Sequence, residues 1–73
     1  MSDEALSRMA NQIAANCGAL PEDEAAAETA DHMRRFWEPR MREGLARRIA
    51  SGQATTLSPV ARKAITLAAA NSP

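Results

Sequence analysis

Up to Cys17 the apolar side chains fall at Leu6, Met9, Ala10, Ile13, Ala14 and Cys17. This i, i+3, i+4, i+7, i+8, i+11 spacing draws one stripe along a helix. Ser2 or Asp3 supplies a cap, the acids of the opening turn suit the helix dipole, and Gly18 stands where a left-handed residue closes a helix. A first helix is therefore expected over 2–17. Ala19, Leu20 and Pro21 turn the chain into a second helix expected over 22–37. It opens on Glu22, Asp23 and Glu24 and closes on Arg34 and Arg35, both correct for the dipole. Ala26, Ala30, Met33 and Trp37 line one face of it, with Thr29 and Phe36 on the flank, and Asp31 and Arg35 make an i, i+4 pair in the favoured orientation.

Pro39 pushes Glu38 out of the α region and is itself preset for the first position of a new helix. A third helix is expected over 39–51, with Met41, Leu45 and Ile49 on its apolar face, Ala46 and Ala50 alongside, a Glu43–Arg47 pair, and Gly52 ending it. Residues 52–57 form a polar loop. Ser58 and Pro59 then read as N-cap and first position of a fourth helix over 58–70, with Val60, Ala61, Ala64, Ile65, Leu67 and Ala68 inward, and 71–73 as a tail. The pattern holds no internal repeat, no low-complexity tract and no alternating strand signal. It predicts an all-α fold, a small bundle of about four short helices with a Pro corner between the second and third.

The chain has 73 residues and 45% apolar composition. That length makes one domain, which buries only about 60% of the surface its unfolded chain exposes. Much of the apolar fraction is alanine, so the predicted core is thin. A single cysteine, Cys17, allows no internal disulfide and fits a reducing, cytoplasmic setting. Chains this short without disulfide or metal staples commonly rely on a partner. No apolar run approaches the length of a membrane span, and the acidic start MSDEALSRM lacks the basic and apolar regions of a signal peptide.

Net charge is zero but unevenly spread: residues 1–31 carry seven acids against Arg8, and residues 32–73 carry Glu38 and Glu43 against eight bases. If the second and third helices lie antiparallel, Arg47 and Arg48 come beside Glu22, Asp23, Glu24 and Glu28, and the asymmetry cancels within the fold.

Catalytic constellations are missing. His32 is the only imidazole and Cys17 lies on another helix, so no zinc-site spacing arises. The three glycines are isolated, which excludes a phosphate loop. Asp31 and His32 are neighbours on a helix and point about 100° apart, which does not make a dyad. The acids at 22–28 lack the Asp/Gly pattern of a calcium loop. The expectation is a chain that is not an enzyme and holds no cofactor or metal.

What stands out instead is DHMRRFWEPRM, residues 31–41, which gathers the only histidine, phenylalanine and tryptophan with three arginines. A nucleic-acid reading would use the cluster Arg34, Arg35, Arg40, Arg42, Arg47 and Arg48 around a helix–corner–helix, but the neutral balance of the chain counts against it. A protein-interface reading uses Met33, Arg34, Phe36, Trp37, Arg40 and Met41, residue types enriched at interface hot spots. Phe36 and Trp37 are adjacent, so one inward stripe holds both only at its edges; either Trp37 fills the core or at least one of the two packs on another chain.

Three segments, RMANQIA (8–14), ADHMRRFWEPRMR (30–42) and LSP (57–59), resemble the delta subunit of cytoplasmic NAD-dependent formate dehydrogenase, a likeness running from about Leu6 to Ala64. The resemblance implies a small, cofactor-free accessory subunit. Its parent complex would hold a molybdenum or tungsten pterin, iron–sulfur clusters and FMN, and would pass electrons from formate to NAD. The implied partner is the large catalytic (alpha) subunit, with beta and gamma subunits in the same assembly. The implied role is support of assembly, stability or pterin retention. Taken with that resemblance, the residues expected at the contact are Arg34, Arg35, Phe36, Trp37, Pro39, Arg40 and Met41, with Arg8, Asn11 and Gln12 as secondary positions.

Overall fold

The computed structural model describes residues 3–53 and 56–70. Four helices occupy them: α1 (Asp3–Asn16), α2 (Glu22–Phe36), α3 (Pro39–Ala50) and α4 (Pro59–Ala70), with no strand among the described residues. The fold is all-α. The expected Ser2 cap and the 71–73 tail lie outside the described residues.

The helix ends show which local rules operate. Gly18 does not take the left-handed conformation expected of it. Cys17 N–H reaches Ala14 O at 3.1 Å, Gly18 N–H reaches Ala15 O at 3.0 Å and Leu20 N–H reaches Cys17 O at 3.0 Å. These i→i−3 bonds wind α1 out through tight turns, and that geometry needs no positive φ. Glycine serves there by its small size, because a Cβ would sit 3.1 Å from the Ala15 carbonyl oxygen. Gly52 does take φ +79°. Its N–H bonds Ile49 O at 3.1 Å and the Gln53 N–H bonds Arg48 O at 2.8 Å, the paired closure of a Schellman motif. At α4, Ser58 caps as its position predicts, its hydroxyl accepting from the Ala61 N–H at 3.2 Å.

The second helix stops one residue short of its expected end. Trp37 (φ −93°, ψ 141°) and Glu38 (φ −68°, ψ 148°) are both extended, and Pro39 starts α3. The steric demand of Pro39 on Glu38 accounts for the break. Stopping early also turns Trp37 off the helix path and into the core.

Packing centres on α4, which meets each of the other three helices and lies most extensively against α2. Ala61, Ala64, Ile65 and Ala68 are all buried on it, facing a neighbour whose Ala25, Ala26 and Ala30 are buried too. Small side chains on both sides let two helices approach closely, which is how an alanine-rich chain builds a core at all. The larger pieces of the core cluster are Leu6, Met33, Trp37, Leu45, Leu57 and Ile65. Leu67, expected inward, is instead exposed, and Met9 is 37% exposed. Thr29, expected on a flank, is fully buried and donates its hydroxyl to Ala25 O at 2.7 Å, the local back-bond that lets a hydroxyl sit in an apolar seam.

Because α2 lies along α4 and meets α3 only at the corner, the expected pairing of Arg47 and Arg48 with the acids at 22–28 does not arise. Lys63 of α4 takes that place, bonding Asp23 and lying 3.7 Å from a Glu22 oxygen. The hydrogen bond and charge of Lys63 hold the Asp23 carboxyl below its ordinary pKa, and the Asp23 bond raises the Lys63 ammonium above its own. Among the described residues Asp31 and Arg35 do pair, at 3.2 Å, whereas Glu43 and Arg47 form no ion pair.

Candidate functional site

Phe36 and Trp37, neighbours in sequence, part company in the fold. Trp37 is 5% exposed and belongs to the core, whereas Phe36 is 71% exposed. Around them Met9, Gln12 and Ile13 from α1, His32 from α2 and Met41 from α3 complete a surface groove of about 360 Å³. Trp37 forms part of its wall from the core side. The Phe36 ring is tilted at 42° to the His32 imidazole, with centroids 4.7 Å apart, which orders the aromatic at the surface. Two of the four large exposed apolar side chains among the described residues, Met9 and Phe36, sit in this groove. A larger depression of about 630 Å³ lies between Glu22, Leu57, Lys63 and Leu67. Of its charged members Glu22, Arg62 and Lys63, the first and last already face each other, so it makes less demand on an outside partner.

The α2–α3 corner behind the groove is held by Arg42, a side chain that had looked like one of a surface cluster. It is 6% exposed. Its Nη1 donates to Trp37 O at 2.9 Å and lies 3.3 Å from Met33 O and 3.4 Å from Arg34 O. A helix leaves its last four carbonyls without intrahelical donors and carries partial negative charge there. Arg42 answers both needs at once, so the first turn of α3 is tied to the last turn of α2. This fixes Phe36 and Met41 relative to each other across the corner.

The other expected contact residues scatter. Arg40 and Pro39 are exposed at the start of α3, and Met41 is half-buried in the groove. Arg34 and Arg35 share Asp31, at 4.0 Å and 3.2 Å. Arg8 is exposed, and Gln12 lines the groove. Asn11 is engaged within the chain: its amide donates to Thr56 O at 2.8 Å and its carbonyl accepts from Ser58 N–H at 2.8 Å, pinning the loop before α4 to α1. Sequence reasoning missed Met9, Ile13 and His32 as groove residues. The first two sit on a stripe that reads as core, and only the position of α1 against the corner exposes its edge. The nucleic-acid reading loses three of its six arginines, since Arg42 is buried and Arg34 and Arg35 share Asp31. Cys17, Glu28, Asp31 and His32 border one shallow hollow of about 270 Å³, but no three acidic, histidine or cysteine groups among the described residues come together to hold a metal ion.

Comparison with known protein families matches residues 5–65 to the NADH-dependent formate dehydrogenase delta subunit, FdsD. This chain belongs to that family. The family's name describes one subunit of a multi-subunit formate dehydrogenase. Comparison with curated proteins and with solved structures returns no match. The stretch shared with the delta-subunit family contains the whole groove, the Arg42 corner and the Asn11 clasp. Among the described residues no helix is long and apolar enough to cross a membrane.

Proposed function

We propose that this chain is a non-catalytic accessory subunit of a cytoplasmic, multi-subunit NAD-dependent formate dehydrogenase. In that role it binds the large catalytic (alpha) subunit, alongside beta and gamma, and supports assembly, stability or retention of the pterin cofactor. The redox groups, a molybdenum or tungsten pterin with iron–sulfur clusters and FMN, belong on this reading to the other subunits, and this chain takes no cofactor of its own. The observation that carries the proposal is the exposed Phe36 at a groove of apolar side chains, inside the segment that matches the delta-subunit family. A phenylalanine left in water forgoes about 1.5–3 kcal/mol of burial, which a docked partner recovers. Met41 and Gln12 share that groove, with Pro39 and Arg40 beside it on the corner.

Co-expression of the tagged chain with the catalytic subunit tests this. The expected result is co-purification in a fixed ratio, with lower pterin content or yield of the complex when the chain is omitted. A monodisperse chain with no affinity for that subunit, and a complex indifferent to its omission, would refute the proposal.

A further inference from the structure

We infer that the groove receives an amphipathic segment of the partner subunit whose bulky apolar side chain seats against Met9, Phe36 and Met41 and whose carboxylates meet Arg8 and Arg40. This rests on the accessory-subunit reading above and adds the chemistry of the occupant. Arg40 carries the argument furthest. It lies in the first turn of α3, where the dipole favours anions, and that turn contains no acid. Glu38, the N-cap, makes no side-chain capping bond. The other base near this helix start, Arg42, is compensated by the carbonyls of α2, as described. Arg40 has no ion-pair or hydrogen-bond partner among the described residues. A carboxylate brought from outside supplies the missing counter-charge, and the helix start favours the same anion.

Arg8 repeats the pattern on the other side of the groove. It stands one turn before the groove residue Gln12 on α1, exposed and without an ion pair among the described residues. Of the acids near the groove, Asp31 is held by Arg34 and Arg35, which leaves Glu38 at the corner and Glu28 one turn before His32. Arg8, Arg34, Arg35 and Arg40 outnumber Glu28, Asp31 and Glu38 by one, so the border of the apolar surface carries a small positive excess. Complementarity then asks for an acidic border on the partner. A second copy of this chain fits less well, because Glu22 and Asp23 of its acidic helix start are already engaged by Lys63.

The test measures Kd between the full chain and formate dehydrogenase assembled from its alpha, beta and gamma subunits, at low and high salt. Three variants are compared with the parent chain: Phe36→Ala, the double reversal Arg8→Glu with Arg40→Glu, and Leu67→Ala in the other depression. All four residues are exposed, and thermal melts check that the fold is kept. Phe36→Ala is expected to weaken binding about 30-fold or more, the scale of a hot spot. The double reversal is expected to weaken it by about tenfold and to remove the loss of affinity with salt. Leu67→Ala is expected to bind as the parent does.

Binding by the parent chain that neither Phe36→Ala nor the double reversal alters overturns the inference and leaves the accessory role standing. Failure of the parent chain to bind overturns both. Loss with Phe36→Ala but not with the double reversal overturns the acidic partner, and loss with Leu67→Ala overturns the choice of groove. The inference is likewise overturned if the double reversal abolishes only self-association in sedimentation, or only retention on duplex DNA.

Discussion

Replacing Arg42 by methionine keeps most of the aliphatic stem but removes the charge and every donor. Trp37 O then loses a 2.9 Å bond and Arg34 O a longer one, while Met33 O keeps the Trp37 N–H at 2.8 Å. A hydrogen bond from a charged donor contributes about 1.5–3 kcal/mol, and a cation at a partly buried helix end up to about 2 kcal/mol. These overlap in one group, so the expected loss is about 2–4 kcal/mol. For a domain of this size each kcal/mol moves Tm by about 4–8 °C, which places the variant roughly 8–32 °C below the parent. Arg42→Lys retains the charge without the fork and should recover about half of that loss. Trp37 lies at the same corner and is the only tryptophan, so its emission reports the corner while far-UV circular dichroism reports the helices. A methionine variant within about 0.5 kcal/mol of the parent, with unchanged Trp37 emission, would refute the clasp.

The Phe36/Trp37 pair gives a second contrast. Trp37→Ala should cost about 3–5 kcal/mol of stability in urea titrations, and Phe36→Ala should stay within about 0.5 kcal/mol. Two glycines should respond with opposite sign in thermal melts. Gly44→Ala, inside α3 with open space around its Cβ, should stabilise by about 0.5–1 kcal/mol. Gly52→Ala, at φ +79°, should destabilise by about 1 kcal/mol. The Lys63–Asp23 pair sets a pH dependence. Asp23 has a lowered pKa in the fold, so its contribution is present above the ordinary 3.8 and is lost as pH falls through the lowered value. Lys63 has a raised pKa, so its contribution is present below 10.5 and is lost as pH rises through the raised value. Both groups are exposed and the effect is small. Melts across pH should show the Lys63→Met variant converging on the parent at both extremes, and a gap that persists in acid would contradict the pairing.

The helix spans were legible because their punctuation is local. Pro39, Ser58 with Pro59, and the dipole-matched ends of α2 each act within a few residues. Gly18 and Gly52 show the limit, since both follow a helix and only the hydrogen bonds of the next residues decide which becomes left-handed. The order of packing was not legible. Alanine faces on α2 and α4 carry no size or charge signal that tells one neighbour from another, so the choice of α4 over α3 as the partner of α2 could not be read. Arg42 was overlooked although the helical period carries it: it stands one turn before Leu45 and Ala46 at the edge of the apolar face of α3, and only its charge made it read as a surface residue like Arg40. The groove was half-legible, through Gln12, Phe36, Trp37 and Met41, because Met9 and Ile13 lie on a stripe that reads as core and come from far along the chain.

The central position of α4 has a bearing on synthesis. Ribosomes deliver α1, α2 and α3 before the helix that joins them, and α2 and α3 have little to bury against each other without it. The Asn11 clasp likewise waits for Thr56 and Ser58. The core therefore cannot close until α4 has been made, and until then the apolar faces of α2 and α3 that it covers stay open to water.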